Sequence, residues 1–287
     1  MFSKIKSLIK DGKNNKEEEF KGKITQQPKG IPISQNDFQF NYLTPNLTEY
    51  KIPNINTVYY LPAFISEESE QKLLDCIYSH ENNLRWVTLK YSSRKLQKYG
   101  GEVTENGLIN QECLPNFLQI IANYLTTNNI FPPTEETNKK LQLNHGLVNE
   151  YMNGVGIMPH TDGPLYYPFV IILSLGSHCC FNFYKDYVQY KLEEPLSKLL
   201  IEPRSLLIFT EECYEKYLHS IEDRTSDYIF MKFDKDGKNL KESNIDNIVL
   251  TDLWKKLAES KENQELIEKN IPRSKRISLT IRHVPTN

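Results

Sequence analysis

The sequence predicts a mainly β fold with flanking helices, a double-sheet jelly roll whose helices pack outside one sheet. Three observations lead there. Short segments with β-branched and aromatic residues or apolar alternation recur along the chain, as in T-V-Y-Y-L-P-A-F-I, R-W-V-T-L-K-Y and R-I-S-L-T-I-R. Helical spacing is confined to two or three places. The run F-V-I-I-L-S-L is apolar enough for a strand buried on both faces.

Composition sets the outer limits. Of 287 residues 39% are apolar, which is enough for one large domain plus a tail. With 37 acidic and 35 basic residues the chain is not a strongly basic nucleic-acid binder, and only local patches come into question. Five Cys without C-x-x-C spacing read as reduced thiols of an intracellular protein. No apolar run approaches a membrane span, and the opening M-F-S-K-I-K-S-L-I-K lacks the apolar core of a secretory signal.

Residues 1–56, rich in Lys, Glu, Gln and Asn, are expected to form a disordered or weakly helical tail, with folding proper starting at 57. Ser66, two Glu, then Leu73, Leu74, Ile77 and Tyr78 read as an N-capped amphipathic helix. A strand R-W-V-T-L-K-Y follows, and S-S-R-K-L-Q-K-Y-G-G is expected to continue into a loop closed by Gly100 and Gly101. Lys90, Arg94, Lys95 and Lys98 make it the most basic stretch, ordinarily a solvated hairpin. A second helix is expected from about Pro115 to Thr127, then a turn-rich loop and the strand L-N-H-G-L-V-N-E-Y, where His145 reads as structural. Beyond F-V-I-I-L-S-L come a hairpin excursion in Y-K-D-Y-V-Q-Y-K-L-E-E-P and a core strand in E-P-R-S-L-L-I-F. The stretch 223–273 reads as an insertion, a hairpin followed by a helix around Asp252 to Lys269.

The chemistry gathers between Val148 and Ser177. His160 and Asp162 stand two apart, on one face of an extended segment, and can grip one metal ion. His219, in Y-L-H-S-I, is the candidate third ligand. Two His and one carboxylate with open positions suit a non-haem Fe(II) centre. Alone, H-x-D is weak, since a His near a strand is more often a hydrogen-bonded structural residue. Weight comes from R-I-S-L-T-I-R, where Arg276, Ser278, Thr280 and Arg282 share one face. A guanidinium there can clamp the far carboxylate of a dicarboxylate such as 2-oxoglutarate, whose keto-acid end chelates iron. His178 is rejected as a ligand, because a fourth protein ligand would close a position that co-substrate or oxygen must occupy.

With these residues assembled, the sequence resembles the AlkB family of Fe(II)/2-oxoglutarate dioxygenases, in particular its AlkB homologue six branch. The resemblance runs from about Tyr59 to Pro285 through Y-Y-L-P-A-F-I-S, S-S-R-K-L-Q-K-Y-G-G, G-I-M-P-H-T-D-G-P-L-Y-Y-P, S-L-G-S-H, E-P-R-S-L-L and R-I-S-L-T-I-R-H-V-P. Ser278 stands where the family pattern R-x-N-x-T-x-R has Asn. The resemblance implies a double-stranded β-helix and Fe(II) held by His160, Asp162 and His219. It also implies 2-oxoglutarate on Asn149, Tyr151, Arg276, Ser278 and Arg282, with O2 as second co-substrate. It further implies oxidative demethylation of alkylated bases, with DNA or RNA as partner and a nuclear and cytoplasmic monomer. Arg94, Lys95 and Tyr99 are then expected to form a nucleotide-recognition lid, the cations on phosphate and Tyr99 stacking on a base. Tyr166 and Tyr167 are expected at the mouth of the metal site. Two other readings stay open: a protein or small-molecule hydroxylase on the same fold, and a nucleic-acid binding module with little turnover.

Overall fold

A computed structural model describes residues 33–43, 45–90, 92–133, 140–235, 237, 239–259 and 265–285. The larger of two facing antiparallel sheets has seven strands in the order β1 (Val58–Leu61), β11 (Leu206–Thr210), β8 (Phe169–Leu175), β16 (Arg276–Arg282), β6 (His145–Tyr151), β3 (Lys95–Tyr99) and β2 (Val87–Thr88). The smaller has four, β10 (Ser197–Ile201), β9 (Cys179–Tyr184), β12 (Leu218–Ile221) and β7 (Ile157–His160). This is the expected jelly roll. A two-stranded ribbon, β4 (Glu102–Thr104) and β5 (Gly107–Ile109), stands beside it.

Strand β8 shows why the layers hold. Its Val170 and Ile172 meet Phe181, Phe183 and Leu199 of the smaller sheet, while Ile171, Leu173 and Leu175 face the opposite way. There they join Leu73 and Ile77 of helix α1 (Glu67–Ile77) and Leu118, Ile121 and Leu125 of α3 (Asn116–Thr127); the short α2 (His80–Asn83) comes between the two in the chain. Each such buried side chain contributes about 1.5–3 kcal/mol, so a strand apolar on both faces suits the middle of three layers. Helix α1 begins where expected, with the Ser66 hydroxyl accepting from the Ser69 backbone N–H.

Four sequence expectations need correction. The folded part does not start at 57: Phe38, Ile52 and Ile55 are buried, and Phe40 stacks on Tyr124 with ring centroids 3.7 Å apart. These isolated apolar residues in a polar stretch show no periodicity, so composition hides them. Residues 1–32, most of the expected tail, lie outside the described residues. The basic loop is instead strand β3, paired with β6 from Lys95↔Glu150 to Tyr99↔Gly146. The excursion after β9 is not a hairpin but a short helix, α4 (Tyr187–Leu192), because the Asp186 carboxylate accepts from Val188 N and Gln189 N at 2.8 and 2.9 Å.

In the stretch 223–273, β13 (Ser226–Phe233) pairs with β14 (Leu240–Ser243) and with β15 (Leu266–Pro272). Helix α6 is Asp252–Glu259, preceded in the chain by the short α5 (Glu212–Glu215), so Leu266 and Ile267 lie on a strand and not on the expected helix. Ile229, Met231 and Phe233 cover Cys180 and Leu200 on the outer face of the smaller sheet. Arg273 anchors this layer, donating from Nε and Nη2 to the two carboxylate oxygens of Asp227, each at 2.7 Å, with both residues buried.

Candidate metal and co-substrate centre

Strands β7 and β12 place His160 opposite His219 in register, with ring centroids 4.3 Å apart. Asp162 follows β7 by two residues, its Oδ1 4.0 Å from His160 Nε2. One ligand atom from each of the three residues lies within 4.8 Å of the others, the only such group among the described residues. The close approach of the strands depends on Gly156, just before β7, where a side chain would run into the Ile221 carbonyl. Its backbone N–H donates to Asp223 Oδ1 at 2.6 Å.

The three side chains suit a divalent metal. His160 Nδ1 lies 2.8 Å from the Met158 carbonyl, which can only accept, so that nitrogen donates and Nε2 is the one left to face a metal. His219 sits among Phe181, Phe183 and Phe209, and its Nδ1 is buried without a hydrogen bond. Burial pushes its pKa down to about 3, so the ring stays neutral, the form a metal takes. Burial alone would raise the Asp162 pKa, but Arg282 and the two imidazoles outweigh it and hold the carboxyl below its ordinary range.

Strand β16 supplies the second half of the centre. Arg276 pairs with Tyr151 and Ser278 with Asn149 across β6, so these four residues share the face that lines a cavity of about 1040 Å³. Arg276 donates from Nη2 to Ser174 Oγ at 2.7 Å, and its guanidinium carbon stands 5.2 Å from the Tyr151 ring centroid. Its Nε, like that of Arg282, is buried without a partner. Buried donors beside a cavity need an acceptor, and an ionised dicarboxylate offers nothing else. The donor set therefore fits 2-oxoglutarate next to Fe(II).

Residues 57–282 match the family model described as the 2OG-Fe(II) oxygenase superfamily. A Danio rerio protein named "Probable RNA/DNA demethylase ALKBH6" is 34% identical over 236 residues, covering 80% of this chain and 86% of that one. The chain belongs to the AlkB family of 2OG-Fe(II) oxygenases. An Arabidopsis thaliana "Alkylated DNA repair protein ALKBH8 homolog" is 27% identical over 186 residues, 58% of this chain and 51% of that one. A solved structure titled "The structure of OsALKBH1" shares 15% identity, with a TM-score of 0.44 over 79% of this chain and 96% of that one. As a member of this family, the AlkB-type oxygenase uses Fe(II), 2-oxoglutarate and O2.

Several residues assigned to its substrate side lie elsewhere than expected. Tyr99 is no stacking face: it is 1% exposed, packs edge-on against Phe117 and donates to Gln97 Oε1 at 3.0 Å. Arg94, one residue before β3, and Lys95, its first residue, do not share a face. Arg94 turns into the cavity, whereas Lys95 is exposed, its Nζ 3.8 Å from Glu150 Oε1. Neither Tyr166 nor Tyr167 borders the cavity. Tyr166 lies under the Arg282 guanidinium, 4.4 Å from ring centroid to carbon, and Tyr167 packs on Phe131. His145 is buried opposite Arg282, and burial lowers its pKa to about 4. His178 faces Asp227, with Nε2 3.3 Å from Oδ2, away from the metal ligands.

One contributor to the AlkB-type centre has no place in the sequence analysis, and another has a different place. Ser174, which holds Arg276, is the one polar residue on the inward face of F-V-I-I-L-S-L, a signal visible in the alternation. Arg94, expected on phosphate, instead lines the cavity from the segment just before β3.

Proposed function

We propose that this AlkB-type oxygenase demethylates alkylated bases of DNA or RNA. The cavity carries the reading: at about 1040 Å³ it exceeds what a five-carbon co-substrate fills, and Ser92, Ser93 and Arg94 at its rim belong to the basic segment before β3. The name of the Danio rerio relative supports the substrate class. A base within a duplex would have to be extruded to reach the ligands.

When bound, Fe(II) with O2 supplies the oxidation: 2-oxoglutarate becomes succinate and carbon dioxide, and one oxygen atom enters a methyl C–H bond, leaving a hydroxymethyl group that departs as formaldehyde. His160, Asp162 and His219 would occupy three positions on the ion and leave the others open. Arg276 would clamp the far carboxylate, Asn149 and Tyr151 would donate to the remaining oxygens, and Ile172 and Phe181 exclude water from the inner wall. In this reading the enzyme works as a monomer in nucleus and cytoplasm.

The test is coupling. Purified protein is supplied with Fe(II), 2-oxoglutarate and oligonucleotides that carry or lack N-methylated bases, with methylated peptides alongside. Succinate and formaldehyde rising together only with methylated oligonucleotides would bear out the reading. Stimulation by peptides alone would assign a protein hydroxylase, and binding without succinate a low-turnover module.

A further inference from the structure

We infer that Arg94 is a positioning residue for the co-substrate, tying the segment at the cavity rim to the amide of Asn149. The chemistry starts from what each group can exchange. A guanidinium only donates, a carboxamide has one accepting and one donating end, and ionised 2-oxoglutarate only accepts. Arg94 Nη1 lies 3.3 Å from Asn149 Oδ1. Because that oxygen is turned to the guanidinium, the Nδ2 end of the amide is left for the cavity that Asn149 lines. Without Arg94 nothing in this contact opposes an amide flip, which would turn an oxygen toward a carboxylate.

Arg94 is itself braced on both sides. Its Nε and its backbone N–H each donate to Ser92 Oγ at 3.3 Å, so the rim segment fixes the arm. Its guanidinium carbon stands 5.6 Å from the Tyr151 ring centroid, and that of Arg276 stands 5.2 Å from the same ring. Tyr151 is thus flanked by two cations, Arg276 from β16 and Arg94 from the segment just before β3. Arg94 acts through Asn149 on co-substrate binding, whichever substrate the enzyme oxidises.

Calorimetric titration of 2-oxoglutarate into protein loaded with Mn(II), without O2, reads this contact with no turnover. Arg94→Ala is expected to weaken binding about fivefold to tenfold, the value of one such hydrogen bond. In an Asn149→Ala background the same change is expected to cost less than twofold, because the partner is gone. Melting temperature and Mn(II) affinity control for folding. Should Arg94→Ala fail that control, Arg94→Met, which keeps the stem over Tyr151, takes its place. Undiminished affinity in Arg94→Ala, or an equal loss in both backgrounds, would overturn the inference.

Discussion

Arg282 donates from Nη2 to Asp162 Oδ2 at 3.0 Å, so the last residue of β16 holds the carboxylate that follows β7. Each side chain is only 8% exposed. One strand therefore braces a metal ligand at one end and presents Arg276 at the other. Arg282→Ala is expected to lower Fe(II) affinity about 10- to 100-fold, as loss of a ligand's supporting partner does. Metal titration checks it, and an unchanged affinity would mean that Asp162 needs no brace.

Arg276→Ala is expected to spare iron and to weaken 2-oxoglutarate. A charge-assisted bond of this kind is worth about 1.5–3 kcal/mol, or roughly ten- to a hundredfold in affinity. Titrating wild type and variant with 2-oxoglutarate gives the ratio directly.

Away from the site, Asp227 and Arg273 form a buried pair whose loss should unfold the outer layer. Removing one partner of such a pair costs about 3–5 kcal/mol, so Asp227→Ala should lower the melting temperature clearly. Burial would raise the Asp227 pKa, but His178 and Arg273 outweigh it and hold the carboxyl well below its ordinary 3.8. A depressed carboxylate stabilises the fold above its unfolded pKa, and that share is lost as pH falls through the folded value. Wild type should therefore lose stability below about pH 4 more steeply than Asp227→Asn, as denaturant melts across that range would show.

Nucleic-acid binding should separate the two neighbouring cations. Lys95→Ala, at an exposed position, is expected to lower oligonucleotide affinity and reduce the salt slope by roughly 0.7 to 0.9, one phosphate contact. Arg94→Ala, facing the cavity, should leave the slope as it was. Binding isotherms at several salt concentrations for both variants decide this.

The parts of this protein legible in its sequence are those where one face differs in kind from the other. R-I-S-L-T-I-R alternates polar and apolar residues, and the structure puts its polar set on the cavity and Ile277, Leu279 and Ile281 in the core under the helices. F-V-I-I-L-S-L is legible for the opposite reason, being apolar on both faces except at Ser174. K-L-Q-K-Y was not, because Gln97 is fully buried and satisfied by the carbonyls of Ile77 and Asn82, which breaks the expected pattern. On that strand Tyr99 turns inward, against the expectation of an exposed stacking face. Phe38 and Phe40 were lost likewise, since single aromatics that fill gaps beside Phe64 and Tyr124 leave no period to detect.

The three ligands carry the chemistry, and anaerobic Fe(II) binding followed by aerobic succinate formation measures them. His160→Ala, Asp162→Ala and His219→Ala are each expected to lose tight iron binding and with it the conversion of 2-oxoglutarate. His178→Ala, whose imidazole faces Asp227, is expected to keep both if folded. Iron-dependent succinate formation retained in folded His219→Ala would contradict the account.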